Sequence, residues 1–227
     1  MNRIALLLLA VTVRAGDAPA GPPSIESIVN AMTTADSSRL LKLPGYTSIR
    51  QYHIENRRFH TEARMRVELT VGADGAKHFR VLEMSGPLPV RKLVFQRMLN
   101  TETAASARDA RAATRISPDN YNFRFVEQTT WQGRKCFVLE AQPKTESSLL
   151  FRGRLWVDAE EYAVLRIAGE PAQNPSFWVN KTGFIHEYAK TGSFWLPKSN
   201  TSETDVKVFG HTTVRIDYGT PRLNVAQ

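Results

Sequence analysis

The hydrophobic pattern changes its period along the chain. Over residues 24–35, Ile25, Ile28, Val29 and Met32 fall at i, i+3, i+4 and i+7. That spacing predicts a helix with one apolar face, and Ser24 stands where an N-cap is needed. From Tyr46 the period drops to 2. In HTEARMRVELTV one face takes Thr61, Ala63, Met65, Val67, Leu69 and Val71, and the other takes Glu62, Arg64, Arg66, Glu68 and Thr70. This predicts a strand with one dry and one wet face. The preceding YTSIRQYHIENRRF reads as its partner, and KHFRVLEMSG follows after GADG, whose Asp-Gly marks a hairpin turn. The strands then stop. Over residues 87–111, Val90, Leu93, Val94, Arg97 and Met98 lie near one helical face, Pro87 and Pro89 suit a helix entry, and the end is Ala-rich. Strands resume at Tyr121. Hairpins are expected at Gln132-Gly133-Arg134, Ala159-Glu160-Glu161 and Lys190-Thr191-Gly192, and a bend at Gly210.

About ten strands, two helical pieces and no dividing linker predict one domain over residues 24–227. A sheet of that many strands curls or closes, and two amphipathic helices need a dry surface. The expected fold class is mainly β (α+β): a curved antiparallel sheet forming an incompletely closed barrel, with an N-terminal helix and an inserted helix covering the concave side.

The start of the chain changes the picture further. Arg3 precedes an apolar run over residues 4–13, and Val13-Arg14-Ala15 offers small residues at a cleavage position. Residues 1–15 read as a secretory signal peptide, too short to span a bilayer, and residues 16–23 as a flexible leader. Cleavage would remove Arg3 and Arg14 and lower the net charge from +8 to +6. That moderate excess favours anionic headgroups or acidic partners. With no cysteine near the cleavage point, the expectation is an exported, periplasmic protein without a lipid anchor. Cys136 is the only cysteine, so no internal disulfide forms, and its place in the apolar run KCFVLE reads as a buried, inert thiol.

Catalytic signatures are absent. The sequence has no G-x-S-x-G, Walker loop, G-x-G-x-x-G or H-E-x-x-H. His53, His60, His78, His186 and His211 are scattered without metal-ligand spacing. Tyr52-His53 and His186-Glu187 are strand neighbours that point to opposite faces, so neither pair acts together. In YNFRFVE, Tyr121, Phe123 and Phe125 share a face away from Arg124, a core row rather than a nucleic-acid stacking platform. No enzyme, cofactor, metal or nucleic acid is expected. Apolar and aromatic surface on a curved sheet remains: Met65, Val67, Leu69, Leu93, Met98, Phe123, Phe125, Leu155, Trp178 and Trp195 are the candidate lining of a hydrophobic cavity.

The order of elements, with YTSIRQYHIENRRF, RGRLWVDAEEYAVLRIAGE, SFWLPKSN and RIDYG along it, resembles the LolA/LolB-like superfamily, which includes periplasmic lipoprotein carriers and the regulator RseB. The phrase LWVDAEEYAVLRI is similar to a strand–turn–strand common there. The resemblance implies a carrier or sensor of lipids or acylated lipoproteins, with transient membrane-surface contact, as a monomer. The alternative it implies is a regulatory module that binds an envelope protein; a hydrolase is the more remote reading.

Overall fold

The computed structural model describes residues 23–174, 179–206 and 210–224. Residues 1–15, expected as a signal peptide, residues 16–22 of the expected leader, and Trp178 lie outside the described residues.

Helix α1 spans Ile25–Lys42, with the Ser24 hydroxyl accepting from the Ser27 amide. It runs seven residues past the stretch expected from its apolar face. The polar second half runs on to Lys42, where Arg39 and Lys42 favour the C-terminal dipole and the hydroxyls of Thr33 and Ser37 bond back to the carbonyls of Val29 and Thr33. Strands β1 (Tyr46–Asn56), β2 (Thr61–Val71) and β3 (Lys77–Ser85) form an antiparallel meander. The helical excursion then divides into a π-helical stretch (Val90–Phe95), α2 (Gln96–Ala105) and α3 (Arg108–Thr114). The wider π winding shifts the phase of the apolar stripe. It turns Phe95 and Leu99 toward the sheet and leaves Leu93 68% exposed.

The remaining strands are β4 (Tyr121–Trp131), β5 (Arg134–Pro143), β6 (Phe151–Asp158), β7 (Val164–Pro171), β8 (Val179–Thr191), β9 (Phe194–Val206), β10 (Gly210–Asp217) and β11 (Arg222–Leu223). Gln132 and Gly133 both take positive φ, 48° and 78°, the two-residue turn whose twist matches its flanking strands. The sheet order is β3-β2-β1-β10-β9-β8-β7-β6-β5-β4, with β11 added beside β1. Among the described residues every strand pairing is antiparallel, β3 and β4 are the two edges, and the sheet is not closed. The expected fold class is the observed one.

Two helix-covered cores occupy opposite ends of the same face. At one end α1 lays Ile28, Val29 and Met32 on Tyr121, Leu139, Leu155 and Ile167. At the other, Phe95 and Leu99 pack on Tyr52, Met65 and Val67. Between β6 and β7, Gly153 faces Gly169, and a Cβ on Gly169 would sit 2.3 Å from the Arg152 carbonyl oxygen. This close approach removes side chains from the inner face, where Phe151 and Phe184 meet edge-on at 6.0 Å.

Candidate functional site

The registers align a continuous row of inward residues across ten strands. It runs Met84, Met65, Tyr52, Ile216, Asn200, His186, Ile167, Leu155, Leu139 and Phe125. Both ends of the row are carbon and its centre is polar. The centre also lies between the two helix-covered cores, and there Phe184, His186, Val214 and Ile216 are half-buried rather than sealed.

Arg50 occupies the inner phase of β1 and is fully buried. Its Nη1 donates to both carboxylate oxygens of Glu102 on α2, at 2.8 and 3.0 Å, and Lys77 Nζ donates to Glu102 at 2.7 Å. Tyr218 lies under the guanidinium at 4.3 Å from ring centre to Cζ, and Phe79 at 5.5 Å. Burial pushes the Glu102 carboxyl up, but Lys77 and Arg50 more than reverse this and hold it below its ordinary range. Arg50 Nε and Nη2 and the Tyr52 hydroxyl are buried without a hydrogen-bond partner. On the other side of Tyr218 stands His186, 5.4 Å from it between ring centres, with Nδ1 3.0 Å from the Asn200 amide. Burial, with Lys77 and Arg50 nearby, lowers the His186 pKa to about 4. The imidazole is therefore neutral at pH 7 and a weak base.

A second feature lies where α1 meets the ends of β7, β8 and β9. The turn after β6 is built by Asp158, which is 1% exposed. Its carboxylate accepts the amides of Glu160 and Glu161 at 3.1 and 2.7 Å and Arg134 Nε at 2.6 Å. Burial pushes this carboxyl up and the Arg134 and amide bonds bring it below its ordinary range. The turn holds Tyr162 at a positive φ of 51°, its ring stacked 6.2 Å from Phe137. Beside it opens a cavity of about 190 Å³, lined by Met32, Asp36, Arg39, Arg115, Ile116, Tyr162, Ala163, Val164, Tyr188 and Trp195.

The residues expected to line one cavity are spread over separate clusters. Met65 and Val67 are core, with Met98 packed against them beneath α2. Leu69 belongs to a third cluster with Tyr46 and Leu196. Leu155 and the half-buried Phe123 lie under α1. Phe125, on edge strand β4, is 38% exposed, and Leu93 faces outward. Trp195 walls the 190 Å³ cavity and donates its indole N–H to Glu161 at 3.0 Å. Arg50, Glu102, Lys77, Asn200 and Tyr218 were not expected. One signal was readable: Arg50 falls in the dry phase of YTSIRQYHIEN, among Tyr46, Tyr52 and Ile54. Among the described residues, no group of three or more His, Cys, Asp or Glu could hold a metal, and no helix is long and apolar enough to cross a membrane.

A family model described as "Uncharacterized protein" matches residues 100–224. No curated protein matches the chain. Among solved structures, the chain is similar to a DUF1329 family protein from Desulfovibrio piger, at 14% identity and a TM-score of 0.47, over 89% of this chain and 94% of that one. It is also similar to a LolA superfamily protein from Nitrosomonas europaea, at 11% identity and a TM-score of 0.47, over 91% and 96% of the two chains.

Proposed function

The chain belongs to the family whose model spans residues 100–224, and we propose that it is an exported, non-catalytic carrier of a lipid or of the acyl chains of a lipoprotein. The observation that carries this reading is the half-buried centre of the inner face. The two helical pieces cover opposite ends of the sheet; Phe184 packs against the core under α1, Val214 and Ile216 pack against the core under α2, and all three stay half-buried. An acyl chain laid there gains roughly 0.8 kcal/mol for each methylene it buries, with no covalent step. Release then needs only a second state or a better acceptor.

Contact with a membrane surface is supported by the segment between β3 and α2. Leu88, Leu93 and Val94 are exposed there. Arg91, Lys92 and Arg97 lie among them, with no acidic residue between Ser85 and Thr101. Exposed carbon beside basic side chains suits an anionic headgroup layer. A catalytic reading has less support, because His186 is a weak base already bound to Asn200.

The test is uptake of a fluorescent fatty acid by delipidated protein. Saturable binding that palmitate displaces is expected; no uptake at micromolar protein would sink the carrier reading. A second reading, an envelope module that binds a protein partner, is favoured by the edges of β3 and β4, which pair with no further strand among the described residues. It predicts one crosslinked envelope protein whose capture is indifferent to delipidation.

A further inference from the structure

The cavity beside Trp195 has a chemistry that carbon burial does not require. Its apolar walls come from Met32, Ile116, Val164 and the rings of Tyr162, Tyr188 and Trp195, but Arg39 and Arg115 line it too, against the carboxylate of Asp36, while the Glu161 carboxylate on the Trp195 indole is already paired with Arg134 and Lys190. Two guanidiniums and one carboxylate leave an excess of one positive charge. Arg39 spends its Nη atoms on the carbonyls of Glu161 and Tyr162. Arg115 is less committed. Its Nη2 reaches Ser37 and, at 3.4 Å, Asp36, while its Nε is buried without a partner. A separation of 3.4 Å is long for a charge-assisted bond, which runs to about 2.7–2.9 Å. An incoming oxyanion could therefore replace Asp36 at Nη2 of Arg115 on better terms than Asp36 has there.

Aromatic walls alone would also suit a quaternary ammonium group. The two arginines argue against that. At about 190 Å³ the cavity is somewhat larger than one of roughly 150 Å³ that holds benzene, so it fits a head group and a few carbons rather than a whole lipid.

We propose that this cavity is an oxyanion subsite, in which Arg115 holds the carboxylate or phosphate of an amphiphile while Trp195 and Tyr188 flank its first carbons. The inference rests on the carrier reading for the remainder of the ligand. Asp36 acts as the internal competitor that the ligand displaces.

The experiment is calorimetric titration of the full chain with dodecanoate, dodecyl phosphate, dodecanol, dodecyltrimethylammonium and inorganic phosphate. The two anionic amphiphiles should bind at least about tenfold more tightly than dodecanol, in line with one bond to a charged group. Arg115→Gln should erase that preference and leave dodecanol unchanged. Because Arg115 also ties the end of α3 to α1, a second variant guards against misfolding: Asp36→Asn should tighten dodecanoate several-fold. Equal affinity for dodecanoate and dodecanol, a preference for the ammonium, or a preference untouched by Arg115→Gln would overturn the proposal. Binding of inorganic phosphate alone, lost in Arg115→Gln, would keep the subsite and defeat the lipid reading instead. Tight dodecanol binding without anion preference would do the reverse.

Discussion

Replacing Glu102 with Gln removes the charge that makes a fully buried Arg50 tolerable. In the native chain Arg50 Nη1 meets both carboxylate oxygens at 2.8 and 3.0 Å, and its side chain is 1% exposed. Without the carboxylate, the cation keeps the ring faces of Tyr218 and Phe79 and the neighbouring phenols of Tyr46 and Tyr52. Breaking a buried pair in this way costs about 3–5 kcal/mol. A glutamine carbonyl can still accept one bond, worth about 1 kcal/mol, so the expected loss is about 2–4 kcal/mol. Urea unfolding followed by circular dichroism reads it as a lower midpoint at unchanged slope. The pH dependence gives an independent check. The folded Glu102 pKa lies below its ordinary value of 4.5, so its contribution is fully present above that pH and is lost as pH falls through the folded value. The gap between wild type and variant should therefore narrow in acid. A Glu102→Gln protein within about 0.5 kcal/mol of wild type at pH 7, well inside the spread of ordinary surface changes, would refute this account of the buried pair.

Three further outcomes follow from the same geometry. His186 has a folded pKa of about 4 against an ordinary 6.5, so the unfolded chain takes up the proton first and stability declines as pH falls from 6.5 to 4; His186→Gln should flatten that limb in pH-dependent unfolding, and an NMR titration placing the imidazole near 6.5 would contradict it. Phe95 is fully buried and meets Tyr52 edge-on at 6.4 Å, so Phe95→Ala should lose about 3–5 kcal/mol in thermal or urea unfolding, while Leu93→Ser should change stability by less than about 0.5 kcal/mol and weaken pelleting with anionic vesicles. Asp158→Ala strands two turn amides and takes the acceptor from Arg134 Nε, leaving Arg134 on Glu161, and about 3 kcal/mol should disappear from the unfolding free energy; a near-neutral result would mean that the turn does not depend on its carboxylate.

The strands were legible because alternation reports a sheet with one dry face directly. HTEARMRVELTV gives β2 almost residue for residue, and the Asp-Gly and Gln-Gly turns announce their hairpins. Helix α1 was only half legible, since its polar second half leaves no apolar stripe and ends on Arg39 and Lys42, which favour the C-terminal dipole. The excursion after β3 read as one amphipathic helix, but a π-helical winding shifts its phase, which is why Leu93 faces outward while Phe95 is buried. The two-residue strand β11 carries no period at all. Site residues were less legible for a different reason. Alternation marks Met65 and Val67 as inward-facing, but whether an inward residue is core or lining depends on which helix covers it. The Arg50–Glu102 pair and the Arg115–Asp36 contact join residues 52 and 79 positions apart, and nothing local in the sequence signals such a meeting.

The central claim is that the half-open inner face holds an amphiphile. Native mass spectrometry of protein purified from a bacterial periplasm tests it most directly. The account predicts a co-purifying species at the mass of the protein plus a lipid or acylated ligand, removed by delipidation and restored by added fatty acid. A spectrum with the bare protein alone, unchanged when fatty acid is added, would contradict it.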